Sequence, residues 1–157
     1  MNKRQRDDQV ISKKAIYIIG FTLLIIFTGF IFYNTKDLTI EGAVKKEALM
    51  NEFSLLQPLP DAIESKIYSH NKVMQAGVSA YYRSNKSYSE IHSYYVAEAT
   101  KKGWTFISED TVGDWGKDVG GKTINFRKGD YTLSIQYAGE KADYGWDLAV
   151  GLGWRLP

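Results

Sequence analysis

The longest hydrophobic run in the chain extends from Ala15 to Tyr33, nineteen residues without a charged side chain. A helix rises 1.5 Å per residue, so this run spans about 28 Å, close to the hydrocarbon thickness of a bilayer. Tyr17 and Tyr33 stand near its two ends, where amphipathic rings favour the headgroup region. The pattern predicts a transmembrane helix over residues 15–33, with the lipid bilayer as its partner.

Basic residues are concentrated on one side of this helix. The tail of residues 1–14 has five Lys and Arg against two Asp, whereas Lys36 is followed by Asp37 on the other flank. The positive-inside tendency predicts a cytoplasmic tail, with residues 34–157 outside the cell membrane. The chain's net charge of +2 comes from that tail, because the remainder carries −1. This balance argues against nucleic acid as a partner.

Two alternatives remain for the apolar run. It could be a cleaved secretory signal, although it is long for one and the residues that close it, Phe30 to Tyr33, include no small-x-small pair. The segment Gly20 to Leu24 also resembles the start motif of type IV pilins. In that family the leader is polar and a glutamate follows, whereas this chain has an apolar leader and Ile25. A retained anchor is the favoured interpretation.

Residues 34–60 follow the anchor and show a helical pattern that ends at prolines. Apolar residues recur at helical intervals from Glu41 to Phe53, and Pro58 and Pro60 then stop any helix. We therefore expect a juxtamembrane helix and connector over 34–60. A compact extracytoplasmic domain is expected over residues 61–157.

One helix of that domain is marked at both ends. Ser87 followed by Glu90 is the capping-box arrangement, in which each side chain satisfies a backbone donor of the first turn. An apolar stripe follows, and Gly103 supplies a left-handed stop after Lys101 and Lys102. The stripe predicts that this helix covers a sheet.

The residue pattern over the rest of the domain predicts strands. Two runs near residues 65–84 flank an expected turn at Asn71-Lys72, and a strand follows Gly103. A hairpin is expected across residues 128–130, and the last strand places apolar residues on one face: Trp146, Leu148, Val150, Leu152 and Trp154. With Trp104 also expected on the covered face, the predicted fold class is α+β, one main helix packed on an antiparallel sheet.

Several of these features together resemble a known type of domain. They are the pair Tyr81-Tyr82, the helix with Tyr94-Tyr95 and the start Gly103-Trp104, after a connector ending Leu59-Pro60. This succession is similar to small extracytoplasmic α+β domains of bacterial lipoproteins and membrane-anchored proteins, over roughly residues 50–140. The resemblance implies the fold and the compartment. Most such domains have no assigned activity, so it implies no catalytic residue.

The segment Gly116 to Thr123 matches the phosphate-loop pattern G-x-x-x-x-G-K-[ST]. That loop needs a buried strand before it and a helix after it, whereas polar residues precede this segment and strand-like alternation follows. We interpret it as a loop between strands, and a nucleotide partner is not expected.

The sequence recommends no catalytic, cofactor or metal site. Asp110, Asp114 and Asp118 miss the two-residue spacing typical of calcium loops, and His70 and His92 stand apart from other ligands. The chain has no cysteine, so lipidation at a cysteine and disulfides are excluded. We expect a protein that is not an enzyme.

Trp115 is the candidate partner contact, because it lies among polar and glycine residues where an exposed ring could anchor a protein or a sugar. The alternative is that it folds back over the sheet edge. The expected function is a non-enzymatic interaction module of the bacterial envelope, bound to an unknown envelope protein. A cell-wall or glycan binding module and an envelope enzyme of unknown reaction are the alternatives. Exposed aromatic rings on the open sheet face would favour a sugar ligand.

Overall fold

The structure is a computed structural model that describes residues 3–72, 74–114 and 116–155, with the backbone alone at residues 3–14, 37–39 and 114. Two helices and six strands follow in chain order: α1 (Lys3–Leu55), β1 (Ile63–Lys72), β2 (Gln75–Arg83), α2 (Tyr88–Lys101), β3 (Thr105–Asp114), β4 (Lys117–Lys128), β5 (Tyr131–Tyr137) and β6 (Leu148–Arg155). The chain divides into two compact units, residues 1–38 and residues 39–157. Helix α1 contributes residues to both, and each unit is described separately.

The first unit contains the apolar part of α1. The portion of α1 from Ala15 to Leu55, which continues into the second unit, is 41 residues long, and its most apolar window has a mean hydropathy of 2.5 with none of that window buried. Thr22 and Thr28 donate their hydroxyl hydrogens to the carbonyls of Ile18 and Leu24, four residues earlier. The helix is therefore long and apolar enough to cross a membrane.

The second unit is built on one antiparallel sheet in the order β1-β2-β6-β5-β4-β3. Each neighbouring pair is antiparallel, and a two-residue turn, Gly129-Asp130, joins β4 to β5 as the sequence predicted. One face of the sheet packs against helices and the other is open. The predicted α+β class is confirmed.

Alternation along the central strands places large apolar side chains on the covered face. The buried set from the sheet comprises Ala76, Val78, Ala80, Tyr82, Ile124, Phe126, Leu133, Ile135, Leu148, Val150, Leu152 and Trp154. Helix α2 adds Ile91, Tyr95 and Ala99 to this core, at the intervals that its stripe predicted. Alternate residues of a strand face opposite sides of the sheet. Since the core residues of β2 and β6 are even-numbered, the odd-numbered residues of these strands lie on the open face.

Helix α2 begins where the sequence predicted. The Ser87 hydroxyl accepts from the Glu90 N–H, and the Glu90 carboxylate accepts from the Ser87 N–H, which completes the capping box. Its end is followed by Gly103 at φ +82°, in the left-handed region that favours glycine. Hydrogen bonds from Ser87 lower the pKa of Glu90, because they stabilise its charged form.

The end of α1 and the connector after it belong to the same core. Leu49 has no exposed surface, and Leu56 and Leu59 are buried with it. The Leu59 N–H donates to the Tyr95 hydroxyl at 3.2 Å, and the Gln57 N–H donates to the Glu98 carboxylate at 3.2 Å. The compact unit thus includes residues 39–60, which the sequence pattern assigned to a juxtamembrane helix and connector.

Three local predictions were wrong. Residues 116–123, interpreted as a loop between strands, lie almost wholly in β4, because polar and glycine residues are tolerated at an exposed sheet end. Asn71 and Lys72 pair with Ala76 and Gln75 inside β1 and β2, so the turn follows them. Trp146 precedes β6 and contacts Tyr81 on the open face, because the chain leaves the sheet register before Leu148.

Candidate functional site

The open face of the sheet carries the candidate site, and its middle is lined by small side chains. Two adjacent cross-strand rows pass through it, Gly77-Gly153-Thr132 and Ser79-Gly151-Ser134. None of these residues projects a long side chain, so the centre of the face is depressed relative to its sides. An open groove of about 730 Å³ lies over this floor.

The glycines of the floor are held close to neighbouring side chains. A Cβ added at Gly151 would lie 3.1 Å from the Ser79 Oγ, and one added at Gly153 would lie 3.3 Å from the Thr132 Oγ1. At Gly77 an added Cβ would lie 2.7 Å from the His70 ring, which therefore rests across the backbone of β2. Larger residues at these positions would fill the groove and displace its walls.

At one end of the groove four aromatic rings form what we call the aromatic cup: Tyr68, Tyr81, Tyr144 and Trp146. Tyr68 and Tyr81 meet edge to face at 5.7 Å, and Tyr144 stacks on Trp146 at 5.3 Å with 24° between the planes. The cup encloses a second groove of about 590 Å³, which Ser65 and Lys66 also line. Tyr68 remains 47% exposed, so its ring is accessible from solvent.

The rings of the cup are joined to one another and to a cation. Tyr81 lies 5.5 Å from Trp146, centroid to centroid, at 64° between the planes. The Lys66 Nζ lies 4.2 Å from the centre of the Tyr68 ring, within the range of a cation–π interaction. Edge-to-face and stacked contacts of this kind stabilise a ring cluster that is only partly buried.

At the opposite end of the face the groove has basic walls. His70 on β1, Arg127 on β4 and Arg155 on β6 line it, and Asp130 lies at its margin. Asp130 is 3.5 Å from the Lys45 Nζ, so its charge is compensated from α1. We call this part of the groove the basic trough, formed by His70, Gly77, Arg127, Thr132, Gly153 and Arg155.

Beside β5 the open face is closed by a polar network. The Asn125 Nδ2 donates to the Ser108 Oγ at 3.1 Å and to the Asp110 carboxylate at 2.9 Å. The Ser134 hydroxyl lies 3.2 Å from the Asn125 Oδ1. These bonds orient the side chains across three strands, beside Ser134 of the groove floor.

The shifted titratable groups of the described residues lie away from this face. Burial raises the pKa values of Tyr82, Tyr94, Tyr95 and Tyr137, which belong to the covered face or to α2. Tyr88, whose pKa is raised by burial and by Glu109, is also on α2. The shifts therefore report packing of the core.

The structure places the residues that the sequence singled out at separate points. Trp115, the predicted partner contact, lies outside the described residues. Gly116 to Thr123 falls within β4 and the turn before it, in a strand paired with β3 and β5, so it lacks the strand–loop–helix context of a phosphate loop. Among the described residues no three His, Asp or Glu side chains gather as a potential metal site.

Asp118 and His92 have local partners, and the side chain of Asp114 lies outside the described residues. Asp118 accepts a hydrogen bond from the Gly120 N–H at 2.9 Å. His92 lies 3.5 Å from Glu109, on a half-buried flank of α2. His70, for which the sequence suggested no role, lines the groove on the open face.

The aromatic cup and the arginines of the trough were not found from the sequence. Their signal was present in the alternation: once Val78 and Ala80 face the core, Gly77, Ser79 and Tyr81 must share the other face. That pattern shows a face with small residues beside an aromatic one. It does not show that Tyr68 and Trp146, from two separate segments, meet at Tyr81.

Comparison with known proteins gives one family. A family model described as START domain-like matches residues 65–147, which is more than half of the chain and includes all of β2 to β5. No match is found among curated proteins or among solved structures.

Proposed function

The chain belongs to the START domain-like family, and from this premise we propose that residues 39–157 form a non-enzymatic binding module of the bacterial envelope, held at the membrane by α1. Its ligand is a glycan that lies on the open face of the sheet. The observation that carries this proposal is the aromatic cup. Sugar rings stack their apolar faces on aromatic side chains, and Tyr and Trp also offer a polar atom at the ring edge.

The location rests on the helix and its flanks. The apolar segment is long enough to cross a bilayer, and five basic residues precede it in the tail. The positive-inside tendency then puts the tail in the cytoplasm and the sheet outside, where envelope glycans are found. The likeness to small domains of lipoproteins and anchored proteins supports the same compartment.

The geometry of the open face supports a glycan over a compact small molecule. The groove is shallow and open, and its floor consists of backbone and small hydroxyl side chains that can bond to sugar hydroxyls. The cup lies beside it on the same face, because Tyr68 pairs with Ser79 of the floor. An extended ligand could occupy both.

Catalysis receives little support from the charges. The capping box lowers the pKa of Glu90, because hydrogen bonds from Ser87 stabilise its charged form, and Glu90 lies on α2 and not on the open face. A general acid would need a raised pKa near its substrate. We therefore assign binding rather than turnover to the open face.

A protein partner is the second candidate, and the edge of the sheet favours it. Strand β1 is exposed along its whole length, including Ile63 and Ile67. An edge strand with free backbone groups can accept a strand from another protein. Such a partner would bind through β1 and would not require the aromatic cup.

Binding of the full chain in uncharged detergent micelles to two oligosaccharides tests the glycan proposal. The probes are a chitin hexasaccharide, which is neutral, and a hyaluronan hexasaccharide, which carries carboxylates. Tyr68→Ala should weaken binding about fivefold or more, the effect expected when an aromatic anchor contributes about 1 kcal/mol.

Phe106→Ala is the matched control, because Phe106 is also 47% exposed and lies on the opposite edge strand, β3, facing Phe126. It should leave oligosaccharide binding unchanged. Equal losses in the two variants, or no binding of either oligosaccharide by the unaltered chain, would exclude the cup as a glycan site.

A further inference from the structure

Resting on the proposed function, we propose that the ligand is an acidic polysaccharide whose carboxylate groups bind in the basic trough while one of its sugar rings lies on the aromatic cup. One cross-strand row of the open face contains both the floor of the trough and two of its walls. His70, Gly77, Gly153, Thr132 and Arg127 are directly paired across five strands. The two ends of this row are the nitrogen-bearing side chains, and its middle is the floor.

The row is long enough for an extended ligand to lie across the sheet. Four strand spacings separate β1 from β4, which corresponds to about 19 Å at 4.8 Å per spacing. Between the two walls the floor offers the Thr132 hydroxyl, which bonds to the Gly153 carbonyl at 3.3 Å. A ligand can therefore reach both walls without meeting a bulky side chain.

The arginines of the trough are free to bind a ligand. Arg127 and Arg155 are exposed, and neither forms an ion pair with a carboxylate within the part of the chain that the structure describes. A guanidinium group presents a planar fork of donors that matches a carboxylate, and such charge-assisted bonds are stronger than neutral ones. Arg83, by contrast, already lies 3.6 Å from Asp147.

The charges that face the trough from neighbouring elements favour an anion. Lys72 pairs with Gln75 at the end of β1 and adds a further positive charge on that side. Asp130 at the β4–β5 turn is the acidic residue at the margin, and Lys45 compensates it. Asp110 is separated from the trough by Asn125, which donates to it.

The distance between the aromatic cup and the basic trough favours a polymer as the ligand. Tyr81 of the cup and Gly77 of the trough lie four residues apart on β2, which corresponds to about 14 Å along the strand. A ligand that uses both must carry an apolar ring face and a separate anionic group along an extended chain. A polysaccharide with carboxylate-bearing sugars has both features.

The test compares the two hexasaccharides on the full chain in uncharged micelles. We expect the hyaluronan hexasaccharide to bind at least about tenfold more tightly than the chitin hexasaccharide, because each charged hydrogen bond is worth about a factor of ten. The difference should shrink as sodium chloride is raised, since exposed charges are screened.

Two arginine variants locate the charge. Arg127→Gln and Arg155→Gln should each weaken hyaluronan binding about fivefold to tenfold and weaken chitin binding by a smaller factor. Lys101→Gln, an exposed change of equal charge on α2, is the control and should leave both unchanged. Gly153→Val fills the floor, where an added Cβ would lie 3.3 Å from the Thr132 Oγ1, and should reduce the binding of hyaluronan.

Each outcome decides between the two proposals. Equal binding of the two oligosaccharides, reduced by Tyr68→Ala, would overturn the acidic ligand and leave the glycan site standing. Failure of both oligosaccharides to bind would overturn both proposals. Vesicles of phosphatidylcholine with anionic phosphatidylglycerol provide a further test. If the protein binds these vesicles, if they displace bound hyaluronan, and if the arginine variants weaken this binding, the trough recognises lipid headgroups and the polysaccharide assignment is wrong.

Discussion

The Trp146 ring lies 5.5 Å from the Tyr81 ring, and the contact joins the segment before β6 to β2 on the open face. In the sequence Trp146 is in step with the buried residues Leu148 and Val150, yet it lies on the opposite side of the sheet from them. A backbone hydrogen bond holds the intervening residue, because the Asp147 N–H donates to the Tyr82 carbonyl at 2.9 Å. The change of face therefore occurs where regular pairing begins.

The first prediction compares the stability of variants at Trp146 and Trp154, the tryptophans at the two ends of that alternation. Trp154→Ala should cost about 3–5 kcal/mol of unfolding free energy, because its side chain is 4% exposed and leaves a cavity. Trp146→Ala should cost less, since its ring is half-buried, and should weaken glycan binding instead. Urea unfolding of both variants in micelles, followed by near-UV circular dichroism, measures the difference. Equal destabilisation would place Trp146 in the core.

Local patterns in the sequence account for much of the fold. The capping box at Ser87, the stop at Gly103 and the alternation from Leu148 to Trp154 depend on residues that are close along the chain, and the structure confirms each of them. Such signals are read directly because capping and pleating act within a few residues. The antiparallel sheet with one covered face follows from them.

The site could not be read in the same way, because it is made by contacts between distant segments. The cup joins β1, β2 and the segment before β6, and the trough joins β1, β2, β4, β5 and β6. Strand order decides which rows meet, and β6 inserts between β2 and β5.

The second prediction concerns the end of α1. Leu49→Ala should lower the unfolding free energy of residues 39–157 by about 2–5 kcal/mol, because Leu49 is fully buried in the core. Met50→Ala is the control: Met50 is the next residue of the same helix, is 40% exposed and should change stability by about 0.5 kcal/mol or less. Denaturation by urea compares the two variants. A small effect at Leu49 would mean that the core is complete without α1.

The third prediction concerns topology. If the basic tail is cytoplasmic, a protease added outside spheroplasts should digest residues 39–157 and spare an epitope tag placed before Met1. Opening the membrane with detergent provides the control, because it should make the tag accessible as well. Protection of the sheet domain in intact spheroplasts, with cleavage after detergent, would place the domain in the cytoplasm and exclude an envelope ligand.

The last prediction uses the buried hydroxyl of Tyr95. Burial raises the pKa of Tyr95 above its ordinary value of about 10, so the folded chain keeps this proton where the unfolded chain loses it. The stabilising contribution is complete below pH 10 and is lost as the pH rises from there towards the folded pKa. Each such tyrosine adds a slope of at most about 1.4 kcal/mol per pH unit.

Tyr95→Phe isolates this contribution by removing the ionisable group. At pH 7 the variant should be less stable by about 1–3 kcal/mol, because the buried Leu59 N–H loses its acceptor. Above pH 10 its stability should fall less steeply than that of the unaltered chain, although Tyr82 still contributes to the slope through its own raised pKa. Urea unfolding between pH 7 and pH 11.5 measures both effects. Parallel pH profiles would show that Tyr95 ionises alike in the folded and unfolded chain, and the prediction would be wrong.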